Sequence, residues 1–198
     1  MFDYGIYKLT VTSPVQTFTE PITVAEMAAF LRLPDTHPAN DDLLLASQIQ
    51  AAREVAEAHQ GRDLVAKQYD LWLDAFPVDV IDVRDPLASV DVFSYKDSDG
   101  VTTALVENTD YIVDTVRSCV MPVVDGSWPS ATLWPSSAIL IRHTTAPPTI
   151  DACVLNGIRY LVAGWFEGRL PYVAGESVAE MPMSVRDVFA IGKRWRFA

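Results

Sequence analysis

The chain is short of the side chains that most often carry chemistry. Its 198 residues include 2 cysteines and 3 histidines. Cys119 and Cys153 lie far apart with no CxxC spacing. They read as buried thiols of a reducing cytoplasm rather than as a disulfide. Long apolar runs are missing too: none approaches the ~20 residues a membrane-spanning helix needs, which argues against a membrane protein. The opening "MFDYGIYKLTVTSP" has neither a basic n-region nor an apolar h-region, so it does not read as a secretory signal. Basic charge is scarce, with 15 Lys and Arg against 26 Asp and Glu and a net charge of −11. A general nucleic-acid binder presents a basic face to phosphates, and this balance argues against one.

Catalytic words are equally absent. GxSxG, HExxH, GxxxxGK[ST] and GxGxxG do not occur, and Gly192-Lys193 lacks the flanking residues of a phosphate loop. His59 falls on the apolar stripe of a predicted helix near its C-terminus, and His143 falls in a predicted strand beside Arg142; both read as structural. Asp35, His37, Asp41 and Asp42 could together hold a cation, but helix capping and a solvated loop account for them better. "DSDG" at Asp97–Gly100 begins like a calcium loop yet lacks the later ligands and the closing Glu, so it reads as a tight turn. Nothing selects a pair of carboxylates for glycoside hydrolysis. The residues therefore predict no enzyme, and no catalytic residue, cofactor or metal.

What the chain does have is apolar content, at 49% of residues, enough for a real core in one domain. Residues 1–22 read as an extended arm carrying the strand-like "YKLTV". Thr23, with Glu26 three residues on, forms a capping box that opens a helix over 24–33, stopped by Pro34. Asn40 then reads as the N-cap of a helix over 41–60, with Asp41 and Asp42 in its first turn. Leu45, Ile49, Ala52, Ala56 and His59 form its stripe, and Gly61 suits a left-handed C-cap. Residues 62–148 change character. Seven β-rich runs ("YDLWLDA", "DVIDV", "SVDVFSY", "TTALV", "DYIVD", "SCVMPV", "AILIRHT") alternate with Pro, Gly and Asp turns, as in a small antiparallel sheet or barrel-like subdomain. Thr149 is placed to cap a third helix over 150–168, striped by Ile150, Val154, Ile158, Leu161 and Trp165. Gly157 and Gly164 weaken its propensity, and together with Ala163 these small residues would let another helix approach closely. Residues 170–198 form a loop and tail, with a short helix near 184–194 capped by Ser184. The fold class is α+β, a small helical bundle with an inserted antiparallel β-rich subdomain between residues 23–61 and 149–169.

Tryptophans and the tail carry the rest of the signal. Trp72 and Trp165 fall on predicted core faces, whereas Trp128 and Trp134 flank "PSATL" in a loop, where such aromatics are either partly packed core edges or interface anchors, and both are candidates for the second role. In the tail from Pro182 to Ala198, Arg186, Lys193, Arg194 and Arg196 stand against Asp187. That makes the tail +3 and leaves −14 on the remainder. "KRWRF" couples aromatic and basic side chains, a pattern suited to docking on an acidic surface, and on charge alone equally to basic residues placed at a helix C-terminus where they suit the dipole.

In order along the chain, "EPITVAEMAAFLRL", "LLLASQIQAAREVAEAHQGRDLV", "YDLWLDAFP", "IDVRDPLASVDVFSYKDSDG", "DGSWPS" and "TIDACVLNGIRYLVAGWFEGR" resemble the head–tail connector (adaptor) proteins of tailed phages and gene transfer agents. The likeness is the sum of pattern-level similarities, none a catalytic signature. It implies a ring homo-oligomer, commonly a dodecamer, below the portal at the neck of a virion or phage-like particle assembled in the bacterial cytoplasm. Such a ring extends the DNA channel without reading sequence, and offers a platform for a stopper or tail-neck protein. The resemblance further implies that the C-terminal segment reaches the portal. Val185, Phe189, Trp195 and Phe197 would then be apolar anchors, with Arg194 and Arg196 making charged contacts. Two alternatives stand beside it: another neck or tail-completion protein that does not contact the portal, and, remotely, a small hydrolase.

Overall fold

A computed structural model describes residues 8–11, 19–146, 149–168 and 183–190. These fall into two compact units, a helical one built from residues 19–64, 149–168 and 183–190, and a β unit built from residues 8–11 and 65–146.

In the helical unit, α1 spans Val24–Phe30 and α2 Ala39–Gln60; α3 spans Ala152–Glu167 and α4 Met183–Ala190. The Thr23 hydroxyl accepts from the Glu26 amide at 3.1 Å and the Glu26 carboxylate accepts from the Thr23 amide at 2.8 Å, so the capping box is complete. The Thr23 amide hydrogen bond, followed by its hydroxyl's, holds the Glu26 carboxyl below its usual range. The helix ends three residues before the expected Leu33. Arg32 adopts φ +56°, its amide bonds the Ala29 carbonyl, and Leu33 N–H reaches back to Ala28 at 3.0 Å. This is a Schellman closure with arginine in the position glycine usually takes, so backbone geometry ends α1 before Pro34 can.

α2 departs from expectation at its start. Its N-cap is Pro38, without a side-chain cap bond, and Asn40 lies inside the first turn. Proline supplies the extended φ of a cap position and has no amide to leave unsatisfied. Gly61, at φ +71°, ends the helix as a left-handed cap whose amide bonds Glu57. Asp151, not Thr149, is the N-cap of α3, because its carbonyl receives the Val154 and Leu155 amides. Trp165 at the end of α3 is exposed rather than core, while Val162 is buried and Phe166 of the last turn packs half-buried against the core. The stripe is otherwise as expected: Leu45, Ile49, Ala52 and Ala56 of α2 and Val154, Ile158 and Leu161 of α3 share one core with Ile22, Met27, Leu64 and Phe189.

In the β unit the seven expected runs are strands. They are β2 (Gln68–Leu73), β3 (Ile81–Asp82), β4 (Leu87–Lys96), β5 (Thr102–Ala104), β6 (Tyr111–Asp114), β7 (Cys119–Pro122) and β8 (Ile139–Thr145). β1, Lys8–Val11, joins them by pairing antiparallel with β2, Lys8 opposite Trp72 and Val11 opposite Tyr69. Five strands form one sheet in the order β1-β2-β8-β4-β5 and three form another in the order β3-β7-β6, every pairing antiparallel. Strict alternation places Ile139, Ile141, His143 and Thr145 of β8 on the buried face. Ile139 and Ile141 share a core with Leu71, Phe93, Tyr111 and Val120, so the two sheets bury a common set of side chains without closing into a barrel. β4 shifts register against β8 between Leu87 and Ser89 and again between Val90 and Val92, and these irregularities bring Phe93 inward while Val92 stays out.

Candidate interaction sites

The polar groups of the helical unit are used for holding it together. Arg53 lies on the buried face of α2, its side chain fully enclosed, and donates from Nε to Glu20 at 2.8 Å and from Nη1 to Glu57 at 2.7 Å. The other Glu57 oxygen accepts the Leu64 amide at 2.9 Å, so one chain of bonds ties the entry to α1, the middle of α2 and the exit past Gly61. Burial alone would lower the Arg53 pKa. The hydrogen bond to Glu20 and the charges of Glu57, Glu20 and Glu54 outweigh it and hold the guanidinium ionised. The apolar stripe of α2 gives no sign of this network, apart from the i, i+4 spacing of Arg53 and Glu57 on the same face.

The three histidines are likewise occupied. His37 donates from Nδ1 to the Pro34 carbonyl and from Nε2 to Asp42, each at 2.8 Å. Both ring nitrogens face acceptors, so the imidazolium form is favoured. The Asp42 bond, then the Pro34 bond, raises its pKa. His143 is buried on β8, with Nε2 accepting the Arg84 amide at 3.3 Å and its ring stacked 5.7 Å from Tyr69. His59 is half-buried, 6.3 Å from the Phe189 ring. Asp97 accepts the Asp99 and Val101 amides, and Gly100 sits at φ +83°, so "DSDG" is the turn between β4 and β5. Cys119 and Cys153 are free thiols, one buried and one half-buried. Among the described residues, no group of three or more His, Cys, Asp or Glu is placed to hold a metal. Nor is any described helix long and apolar enough to cross a membrane.

Aromatic surface is where the structure offers contact. In the β unit a cleft of about 390 Å³ is lined by Trp72, Tyr95, Lys96, Trp134, Ser137 and Leu140, among others. The Trp134 amide bonds the Lys96 carbonyl at 3.0 Å, and the Lys96 ammonium stands 4.1 Å over the Trp134 ring. Trp134 is exposed and keeps its candidacy as an interface residue. Trp128 is placed differently: it is buried, stacked at 12° and 5.4 Å on Phe76 and 5.7 Å from Phe93, so its indole fills the β core. In the helical unit, exposed Phe30 and Tyr160 meet edge to face at 5.7 Å, with exposed Trp165 further along α3.

Of the tail residues, Phe189 is fully buried in the helical core. Arg194, Trp195, Arg196 and Phe197, and the side chain of Val185, lie outside the described residues. Phe189 is thus the one of the six whose side chain is described, and it is not a surface residue; Trp134 and Trp128 are separated by burial. The burial of Phe189 had one signal in the sequence, Gly157 on the stripe of α3.

These features define an α+β protein whose described polar groups serve capping, turns and internal ion pairs. No protein-family model matches the chain, and no curated protein does. Solved structures share the fold almost end to end. A chain in the neck of an empty gene transfer agent (GTA) particle, computed with C6 symmetry, is similar at 20% identity and a TM-score of 0.72, covering 96% of this chain and 97% of that one. A chain of a native GTA virion is similar at 19% identity and 0.68, over 96% and 97%. A chain of a native GTA neck computed with C12 symmetry is similar at 19% and 0.62, over 92% and 98%. The protein has the fold of GTA neck chains.

Proposed function

We propose that this protein is a structural head-to-tail adaptor in the neck of a phage-like particle. It forms a ring below the portal, extends the DNA channel and carries the stopper or tail components. The observation that carries this reading is the shared fold, which spans 96% of this chain and 97% of a GTA neck chain. The C6 and C12 symmetry of the neck structures supports a ring, with a dodecamer satisfying both. The charge agrees: a body of −14 repels DNA and lets it slide, whereas a basic wall would retain it. The reading includes no catalytic activity and no cofactor. Assembly takes place in the bacterial host cytoplasm. In the tail, Arg194, Trp195, Arg196 and Phe197 contact the portal, and Val185 stays a candidate beside them. Trp134 is the surface aromatic offered to a neighbouring neck protein.

Negative-stain microscopy of the protein alone, and mixed with the portal protein of the same particle, tests this. Rings that cap the portal are expected, and deletion of residues 191–198 should abolish attachment while the remaining chain, α4 and its buried Phe189 included, stays folded. A second reading is a neck component that does not touch the portal, because the similarity is to chains of GTA necks and of a virion and does not itself specify a portal contact. Rings that ignore the portal but bind a tail component would establish it instead.

A further inference from the structure

α4 has 8 residues, fewer than the ~12–15 at which an isolated helix becomes even marginal in water, so docking must hold it. Among its described side chains, Arg186, Asp187 and Ala190 are exposed, Val188 is half-buried and Phe189 is 0% exposed. The place that receives Phe189 is specific. A Cβ added at Gly157 of α3 would stand 2.8 Å from Phe189 Cε1 and 3.0 Å from Val188 Cγ1, whereas one added at Gly164 would meet nothing within 4 Å. Glycine at 157 is therefore a notch cut for the Phe189 ring, with His59 of α2 on another side of it.

We infer that Phe189 and the Gly157 notch form a clip that fixes the C-terminal segment to this chain's own helical unit. Phe189 is thereby committed at home, and a partner recruited by the tail is contacted by tail residues other than Phe189. The clip stands on its own geometry; only the partner clause rests on the adaptor reading.

Hydrogen exchange of the full-length protein, followed over residues 183–190, tests the clip without any partner. Gly157→Ala puts a methyl into the ring's space, and protection of α4 should fall about tenfold while α2 and the β unit keep theirs. Phe189→Leu shortens the knob, and the double variant G157A/F189L should regain protection because the smaller side chain clears the methyl. Unchanged protection in Gly157→Ala, additive losses in the double variant, or loss of protection in α2 along with α4 would each overturn the clip. In a portal-binding assay the double variant should bind within about twofold of the wild type, whereas a loss of about tenfold or more would return Phe189 to the partner and overturn the inference. A wild-type chain that does not bind the portal sinks the adaptor reading and leaves the exchange result standing.

Discussion

Arg53 bonds two carboxylates, Glu20 outside α2 and Glu57 one turn further along it, and Glu57 is itself 3% exposed. Removing the guanidinium leaves the Glu57 carboxylate buried without the ion pair, still accepting the Leu64 amide. Breaking one partner of a buried pair costs about 3–5 kcal/mol, whereas replacing both by apolar residues costs much less. Arg53→Ala should therefore lower the unfolding free energy of the protein by about that amount in a denaturant titration. The double change R53M/E57L should recover most of it; a double variant as unstable as the single one would show that packing, not charge, dominates there. His37 gives a pH-dependent counterpart. Its folded pKa lies above the ordinary 6.5, raised by Asp42 and Pro34. The stability it contributes is fully present below pH 6.5 and is lost as pH rises through the raised value. A proton-resonance titration of the His37 ring should show a midpoint above 6.5 that falls on Asp42→Asn. An unmoved midpoint would mean the Asp42 bond is not formed in solution.

At the scale of elements, helix ends separate what the sequence states locally from what it does not. Thr23→Ala removes a complete capping box and should cost about 0.5–2 kcal/mol by thermal or denaturant unfolding. Asn40→Ala should change stability by no more than about 0.5 kcal/mol, because the N-cap is Pro38 and Asn40 is exposed in the first turn. An equal loss in both would restore Asn40 as a cap. The capping box, Gly61 and the seven strand runs were legible because each is set by residues within a few positions of one another. The ends of α1 and α3 were not, since Arg32 enters the left-handed region without a glycine to announce it, and the Asp151 carbonyl does what the Thr149 hydroxyl had been expected to do. Pairing of β1 with β2, the sheet order and the β4 register shifts depend on contacts between distant segments. So does the polar side of α2: Arg53 meets Glu20, 33 residues away, and no periodicity marks that. For the candidate sites, exposure divided Trp134 from Trp128, a distinction that two tryptophans in one loop do not carry in their letters.

At the scale of the whole molecule, the charge is partitioned, −14 on residues 1–181 and +3 on residues 182–198. A ring of such bodies works against like-charge repulsion, while a basic tail is drawn to an acidic partner. Salt screens both, with a Debye length of ~10 Å at 0.1 M falling to ~3 Å at 1 M, but it moves them in opposite directions. Self-association of a chain truncated after residue 190, which keeps the body's −14 and the buried Phe189, should therefore strengthen as sodium chloride is raised from ~0.05 M to ~0.5 M, read as a shift to larger species in sedimentation velocity. Over the same range, attachment of the full chain to the portal should weaken, read as a rising dissociation constant. Two responses of the same sign would show that one surface carries both associations, and the division of labour between acidic body and basic tail would fall. Opposite responses would locate attachment in the tail and leave ring closure to the apolar and aromatic faces of the body, where Tyr160, Trp165 and Trp134 stand exposed.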